Sequence, residues 1–233
     1  MTLFREEQRI CAVCGQANMQ TVLRSTTALG SPDLDTRPPP LARMTLPLYI
    51  QCCPACGYCA RDVSEAVPAV QNIVTQPEYQ AQLHSEQFPY LANLFLCYHI
   101  IQQALDNYAE AGWAVVFAAW ACDDAGPAFM TTAARLREKA VAFFTEARER
   151  SQAFAPSRAE EDALLADLLR RSGHFTAAQK AVEQGLAHSP DHTVQSILRF
   201  QHHLCRQHNP NVYTVQDALA WAERTNRPMK RKG

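Results

Sequence analysis

The chain reads as mainly α with a small β module at its front. Three observations carry this: two Cys-x-x-Cys-Gly words near the N-terminus, apolar stripes at three- and four-residue intervals from residue 91 on, and a helix-pair pattern after residue 159. At 233 residues, with 47% hydrophobic and 19% charged, the composition suits a folded protein with one sizeable core or two modest ones. The expected organisation is a metal-pinned module at 1–62, a helical domain at 63–226 and a basic tail at 227–233.

The two words are Cys11-Ala12-Val13-Cys14-Gly15 and Cys53-Pro54-Ala55-Cys56-Gly57. Each lets two thiolates converge on one ion, and the Gly after the second Cys supplies the unhindered turn around it. Four thiolates at tetrahedral corners satisfy Zn²⁺ and leave no open position, so Cys11, Cys14, Cys53 and Cys56 read as a structural zinc site in a zinc ribbon. Short β-like runs at Thr21–Leu23 and Leu48–Gln51 flank the loops. Two other readings stay open. Cys53-x-x-Cys56-x-x-Cys59 also begins an iron–sulfur ligand run, and Cys52 or Cys59 could act as redox thiols beside the metal.

Between Cys14 and Cys53 lie 38 residues, more than a ribbon needs. The centre of this insertion, Ser31-Pro32-Asp33-Leu34-Asp35-Thr36-Arg37-Pro38-Pro39-Pro40, is stiffened by proline. Asp33, Asp35 and Arg37 are expected as a recognition clamp for a protein partner on a surface loop; a paired-carboxylate enzyme site and a plain Asx turn are the alternatives.

After Asp62 the pattern turns helical. Val67–Val74 and Glu78–Leu83, the latter opened by Pro77, read as short linking helices. Leu91, Leu94, Tyr98, Ile101, Leu105 and Tyr108 form one stripe; Trp113, Val116, Phe117 and Trp120 a second; Phe129, Ala133, Leu136, Ala140, Phe143 and Ala147 a third. Asp124-Ala125-Gly126-Pro127 separates the last two, and Phe154-Ala155-Pro156-Ser157 ends the third. Ala159 to His192 then matches a tetratricopeptide repeat at Leu165, Gly173, Phe175, Ala178 and Pro190, departing from it at Asp162 and Gly185. One repeat cannot bury both faces, so Ala111–Arg150 and Thr193–Glu223 are expected to stack on it in a tetratricopeptide-like helical solenoid. In such a stack the first helix lines the groove, which nominates Glu160, Ala163, Asp167, Arg170 and Arg171 for partner contact.

Net charge is −1, but no Lys or Arg falls between Arg61 and Arg135, whereas Arg224, Arg227, Lys230, Arg231 and Lys232 crowd the end. That acidic middle argues against nucleic acid. The N-terminus has no apolar run of signal-peptide length and Ala111–Cys122 is too short to span a bilayer, so the expected compartment is the cytoplasm, where clustered cysteines read as metal ligands and not disulfides. Cys97, Cys122 and Cys205 read as small buried hydrophobes, His99 as an interior histidine, and His188, His192, His202, His203 and His208 as a loose group.

The Cys-x-x-Cys-Gly pair, the Ser31–Pro38 word, Cys53-Pro54-Ala55-Cys56-Gly57-Tyr58 and the repeat helices together resemble an uncharacterised bacterial family, a domain of unknown function with an N-terminal double-Cys module before tetratricopeptide-like helices. The resemblance implies zinc at Cys11, Cys14, Cys53 and Cys56 and no activity. The functional expectation is a zinc-binding, non-enzymatic protein-interaction scaffold, with a thiol or metal redox sensor at Cys52–Cys59 and an enzyme at Asp33 and Asp35 as alternatives.

Overall fold

The computed structural model describes residues 2–226; the basic tail expected at 227–233 lies outside the described residues. The chain gathers into two compact units. The first holds the residues up to Leu29 with Pro40–Phe154, and the second holds Gly30–Pro39 with the residues from Ala155 on. This division differs from the one expected at residue 62: the helix over Tyr90–Ala104 packs against the strand Cys59–Ala60 that follows the second Cys loop, within the first unit.

The first unit begins with an antiparallel hairpin, β1 (Leu3–Ile10) and β2 (Ala17–Ser25), in which Glu6 faces Thr21 and Ile10 faces Ala17. β1 carries no apolar alternation. Its Phe-Arg-Glu-Glu-Gln-Arg run is held by ions instead, with Glu7 paired to Arg5, Arg9 and Arg24. A short helix α1 (Pro40–Arg43) and a 3₁₀ turn at Leu46–Tyr49, with Pro47 in its first turn, replace most of the expected strand at 48–51. Only Gln51 and Cys52 extend, as β3 (Gln51–Cys52), pairing antiparallel with β4 (Cys59–Ala60).

Helices α2 (Ala69–Val74) and α3 (Pro77–Leu83) lead into α4 (Tyr90–Ala104), α5 (Tyr108–Asp124) and α6 (Met130–Glu149). The stripe read as one helix through Tyr108 is cut at Leu105–Asn107, where Asp106 takes φ 58°; Tyr108 opens the next helix. Phe95, Ile101, Val116, Trp120 and Phe144 fill the core between these three helices, and the Phe144 and Phe154 rings stack at 4.4 Å. Burying each such side chain contributes about 1.5–3 kcal/mol.

The second unit contains α7 (Arg158–Arg171), α8 (Phe175–Ala187), α9 (His192–Arg206) and α10 (Val215–Asn226). Ser157 caps α7 through the Glu160 N–H and Asp191 caps α9 through the Val194 N–H. Helices α7 and α8 are the pair read as a repeat, and Ala178 is fully buried between neighbours. The two departures from the repeat pattern meet each other: a Cβ on Gly185 would lie 3.0 Å from Cβ of Asp162 and 2.9 Å from Cδ2 of Leu198. Glycine at 185 therefore lets α8 approach α7 and α9 more closely than alanine would allow.

Candidate metal centre

The two Cys loops close by the same backbone bonds. In the first, which links β1 to β2, the Cys11 N–H donates to Gln16 O at 2.9 Å and the Gly15 N–H to Cys11 O at 2.8 Å. In the second, which links β3 to β4, the Cys53 N–H donates to Tyr58 O and the Gly57 N–H to Cys53 O, both at 2.8 Å. Gly15 and Gly57 sit at φ 74° and 75°, where a side chain is strained.

This closure turns four sulfurs onto one point. Sγ of Cys11 lies 3.7 Å from that of Cys56, Sγ of Cys14 lies 3.7 Å from that of Cys53, and all four fall within 4.8 Å of one another. Corners of a tetrahedron with bonds of about 2.3 Å are about 3.8 Å apart, so the donor set fits a four-coordinate thiolate-bound metal ion. Cys11 and Cys53 are buried while Cys14 and Cys56 reach toward the surface. Burial raises the Cys11 thiol above its ordinary range, against the pull of the Cys14 and Val13 N–H groups. At Cys53 burial also raises the thiol, but the N–H groups of Cys56 and Ala55 and the Cys14 and Cys11 thiols outweigh it, and its pKa falls below the ordinary value.

A surrounding layer that the motifs do not announce holds the loops. Asn18 on β2 directs Nδ2 at Sγ of Cys53 at 3.9 Å, and Gln20 donates to Cys52 O at 3.0 Å. Val63, fully buried, accepts the Ala12 N–H at 2.9 Å and donates to Gln51 Oε1 at 3.0 Å, tying one loop to the strand beside the other. Tyr79 on α3 donates from its hydroxyl to Gly57 O at 2.9 Å and accepts the Cys59 N–H at 3.0 Å. Polar residues two or more apart on a short strand gave no sequence signal for Asn18, and Tyr79 is remote in the chain.

Cys59 is not part of the four-sulfur group, so the alternative of an iron–sulfur run through Cys53, Cys56 and Cys59 finds no such grouping among the described residues. It lies fully buried on β4 opposite Cys52.

The insertion residues face inward, which corrects their expected display on a surface loop. Asp33, Asp35 and Arg37 are 2%, 0% and 5% exposed. The segment turns on its own bonds from Asp33 N–H to Arg37 O and from Thr36 N–H to Asp33 O, both 2.9 Å. It then bonds to 213–216: the Leu34 N–H donates to Tyr213 O and the Val215 N–H to Pro32 O. An oxygen of Asp35 accepts from Arg171 at 2.7 Å, and Leu34 packs with Phe200, Leu204 and Ala218. Three prolines stiffen a segment whose polar groups serve the second unit itself.

The groove residues are corrected in the same way. Ten of the fourteen residues of α7 are buried, so this helix is the unit's centre and not a groove wall. Asp167 and Arg170 pair at 2.6 Å with 1% and 0% side-chain exposure, and Arg170 also donates to Asn209 O and Asn211 O. Ala163 is buried; Glu160 and Arg171 are half-buried.

His99 is buried, with Nδ1 3.0 Å from Ala111 O and its ring edge-on to Phe143. Burial, reinforced by the nearby Lys139 charge, pushes it down to about 4. The C-terminal histidines form no metal-ligand group among the described residues; His202 and His203 line a hollow of about 490 Å³ with Arg199, Arg206 and Trp221. Among the described residues no helix is long and apolar enough to cross a membrane. Comparison with family models, with curated proteins and with solved structures finds no match to this chain.

Proposed function

We propose that the protein is a zinc-pinned, non-enzymatic interaction scaffold of the cytoplasm, in which one Zn²⁺ holds the two Cys loops together and the helices stack in tetratricopeptide-like fashion. The observation that carries the metal reading is the spacing of the four sulfurs, which matches a closed tetrahedral thiolate site. Hard cations favour oxygen donors and blue copper needs histidine, so an all-sulfur tetrahedron selects zinc or a single iron. A closed site supplies folding free energy and no vacant position for chemistry. Substituting Co²⁺ tests the geometry: a four-thiolate tetrahedron gives intense visible absorption, and a weak octahedral spectrum would contradict the reading.

The interaction reading now rests on the first unit and not on Asp33, Asp35, Arg37, Asp167 or Arg170, all of which are buried. Phe4 and Met44 are 61% and 80% exposed and, with Leu41 and Leu48, line a hollow of about 360 Å³. Protein partners captured by the wild-type chain should be lost on Phe4→Asp with Met44→Asp while metal content is kept; partners retained by that variant would place the contact elsewhere.

A further inference from the structure

Two of the five thiols that the metal centre leaves over stand together. In the hairpin of β3 and β4, Cys52 stands directly opposite Cys59 and Gln51 opposite Ala60. The next pair inward, Cys53 and Tyr58, is joined by the bond from Cys53 N–H to Tyr58 O. Antiparallel pairs alternate between bonded and non-bonded, so Cys52 and Cys59 form a non-hydrogen-bonded pair, the kind in which Cα atoms approach to about 4.5 Å and side chains lie closest. Their backbone groups confirm it by bonding elsewhere: the Cys59 N–H donates to Tyr79 Oη and Cys52 O accepts from Gln20. A disulfide requires Cα atoms about 4.4–6.8 Å apart, a range that includes the spacing typical of non-hydrogen-bonded pairs.

The side chains are brought close as well. Directly opposed residues on one face of an antiparallel pair hold their Cβ atoms about 4.5–5.5 Å apart, closest in a non-hydrogen-bonded pair such as Cys52 and Cys59. Successive residues alternate faces on a strand, so Cys52 points away from the side that Cys53 gives to the metal. Of the five spare thiols, Cys52 alone is half-exposed; Cys59, Cys97, Cys122 and Cys205 are buried.

We propose that Cys52 and Cys59 are a disulfide-forming pair, separate from the metal ligands, that closes a covalent clasp around the second Cys loop. The oxidant is a low-molecular-weight disulfide. The accessible Cys52 thiolate attacks one of its sulfurs, giving a mixed disulfide and expelling one thiolate, which takes up the proton Cys52 released. Cys59 then attacks the Cys52 sulfur and expels the second thiolate, which takes up the Cys59 proton. The protein loses two hydrogens and the oxidant becomes two thiols. The ring so formed encloses Cys53 and Cys56 without consuming either sulfur, so the metal stays bound.

The test is to incubate the purified metal-bound protein with oxidised glutathione, trap free thiols by alkylation, and map links by fragmentation mass spectrometry. The expected result is a Cys52–Cys59 link with metal content unchanged, lost in Cys52→Ser and kept in Cys97→Ser. Absence of any link, a link through Cys11, Cys14, Cys53 or Cys56, or a Cys59–Cys97 link would overturn the proposal. Because mapping is done on the wild-type chain, the result does not depend on any variant folding.

Discussion

The Cys loops and the Asp33–Arg37 turn are built alike and used differently. Each is a tight turn closed by its own backbone bonds, at 2.8–2.9 Å in both cases. The Cys loops place side chains on one another, with sulfurs 3.7 Å apart and suited to an ion between them. The Asp turn places Asp35 on Arg171, 136 residues away in the chain. A compact, chemically loaded turn is therefore no sign of display; what decides its role is where the carboxylate or thiol finds its counter-charge.

The sharpest way to separate the two is Asp35→Asn. It removes the Asp35 charge from Arg171, whose side chain is 6% exposed, and losing one member of such a pair costs about 3–5 kcal/mol. Thermal melting should shift down sharply while bound metal stays at its wild-type ratio; an unchanged melt would mean the pair is not holding the second unit.

Within the Cys loops themselves, Gly57→Ala should hurt more than Gly15→Ala. Both incur the positive-φ cost of about 1–2 kcal/mol, but a Cβ at 57 would also sit 2.3 Å from Cδ2 of Leu83, whereas nothing lies within 4 Å of one at 15. The overpacking adds about 1–3 kcal/mol. Urea midpoints measure the gap, and Leu83→Ala should shrink it; equal losses at 15 and 57 would remove the steric argument.

Acid should weaken the helical part of the first unit. His99 titrates near 4 when folded and near 6.5 when unfolded, so the unfolded chain binds more protons in between, and stability falls as pH drops through that window, by at most about 3 kcal/mol. In His99→Gln the slope between pH 6.5 and 4 should flatten; an unaltered slope would assign the acid sensitivity to other groups. The smallest effect is expected from Asn18→Ala, which removes one donor to Cys53 and should weaken metal affinity about tenfold in a competition titration without unfolding the hairpin.

The sequence made the metal loops legible because each is a local device: spacing, turn and donors all lie within six residues. The short helices opened at Pro77 and the break at Gly126 were legible for the same reason. The hairpin strand β1 was not, since Arg and Glu ladders mask the alternation that marks a strand. Nor was the fate of Asp35 and Arg170, for partners distant in the chain, the Arg171 guanidinium for one and the Asn209 and Asn211 carbonyls for the other, turn residues that look solvent-bound into core. The break at Asp106 was hidden because Leu105 and Tyr108 continue the apolar spacing across a left-handed residue.

The central claim is that four sulfurs hold one structural metal ion, and elemental analysis of the freshly purified protein tests it most directly, with Cys53→Ser beside it. One zinc per wild-type chain and none in Cys53→Ser is the expected result. No metal in the wild type, or a full equivalent in the variant, would contradict it.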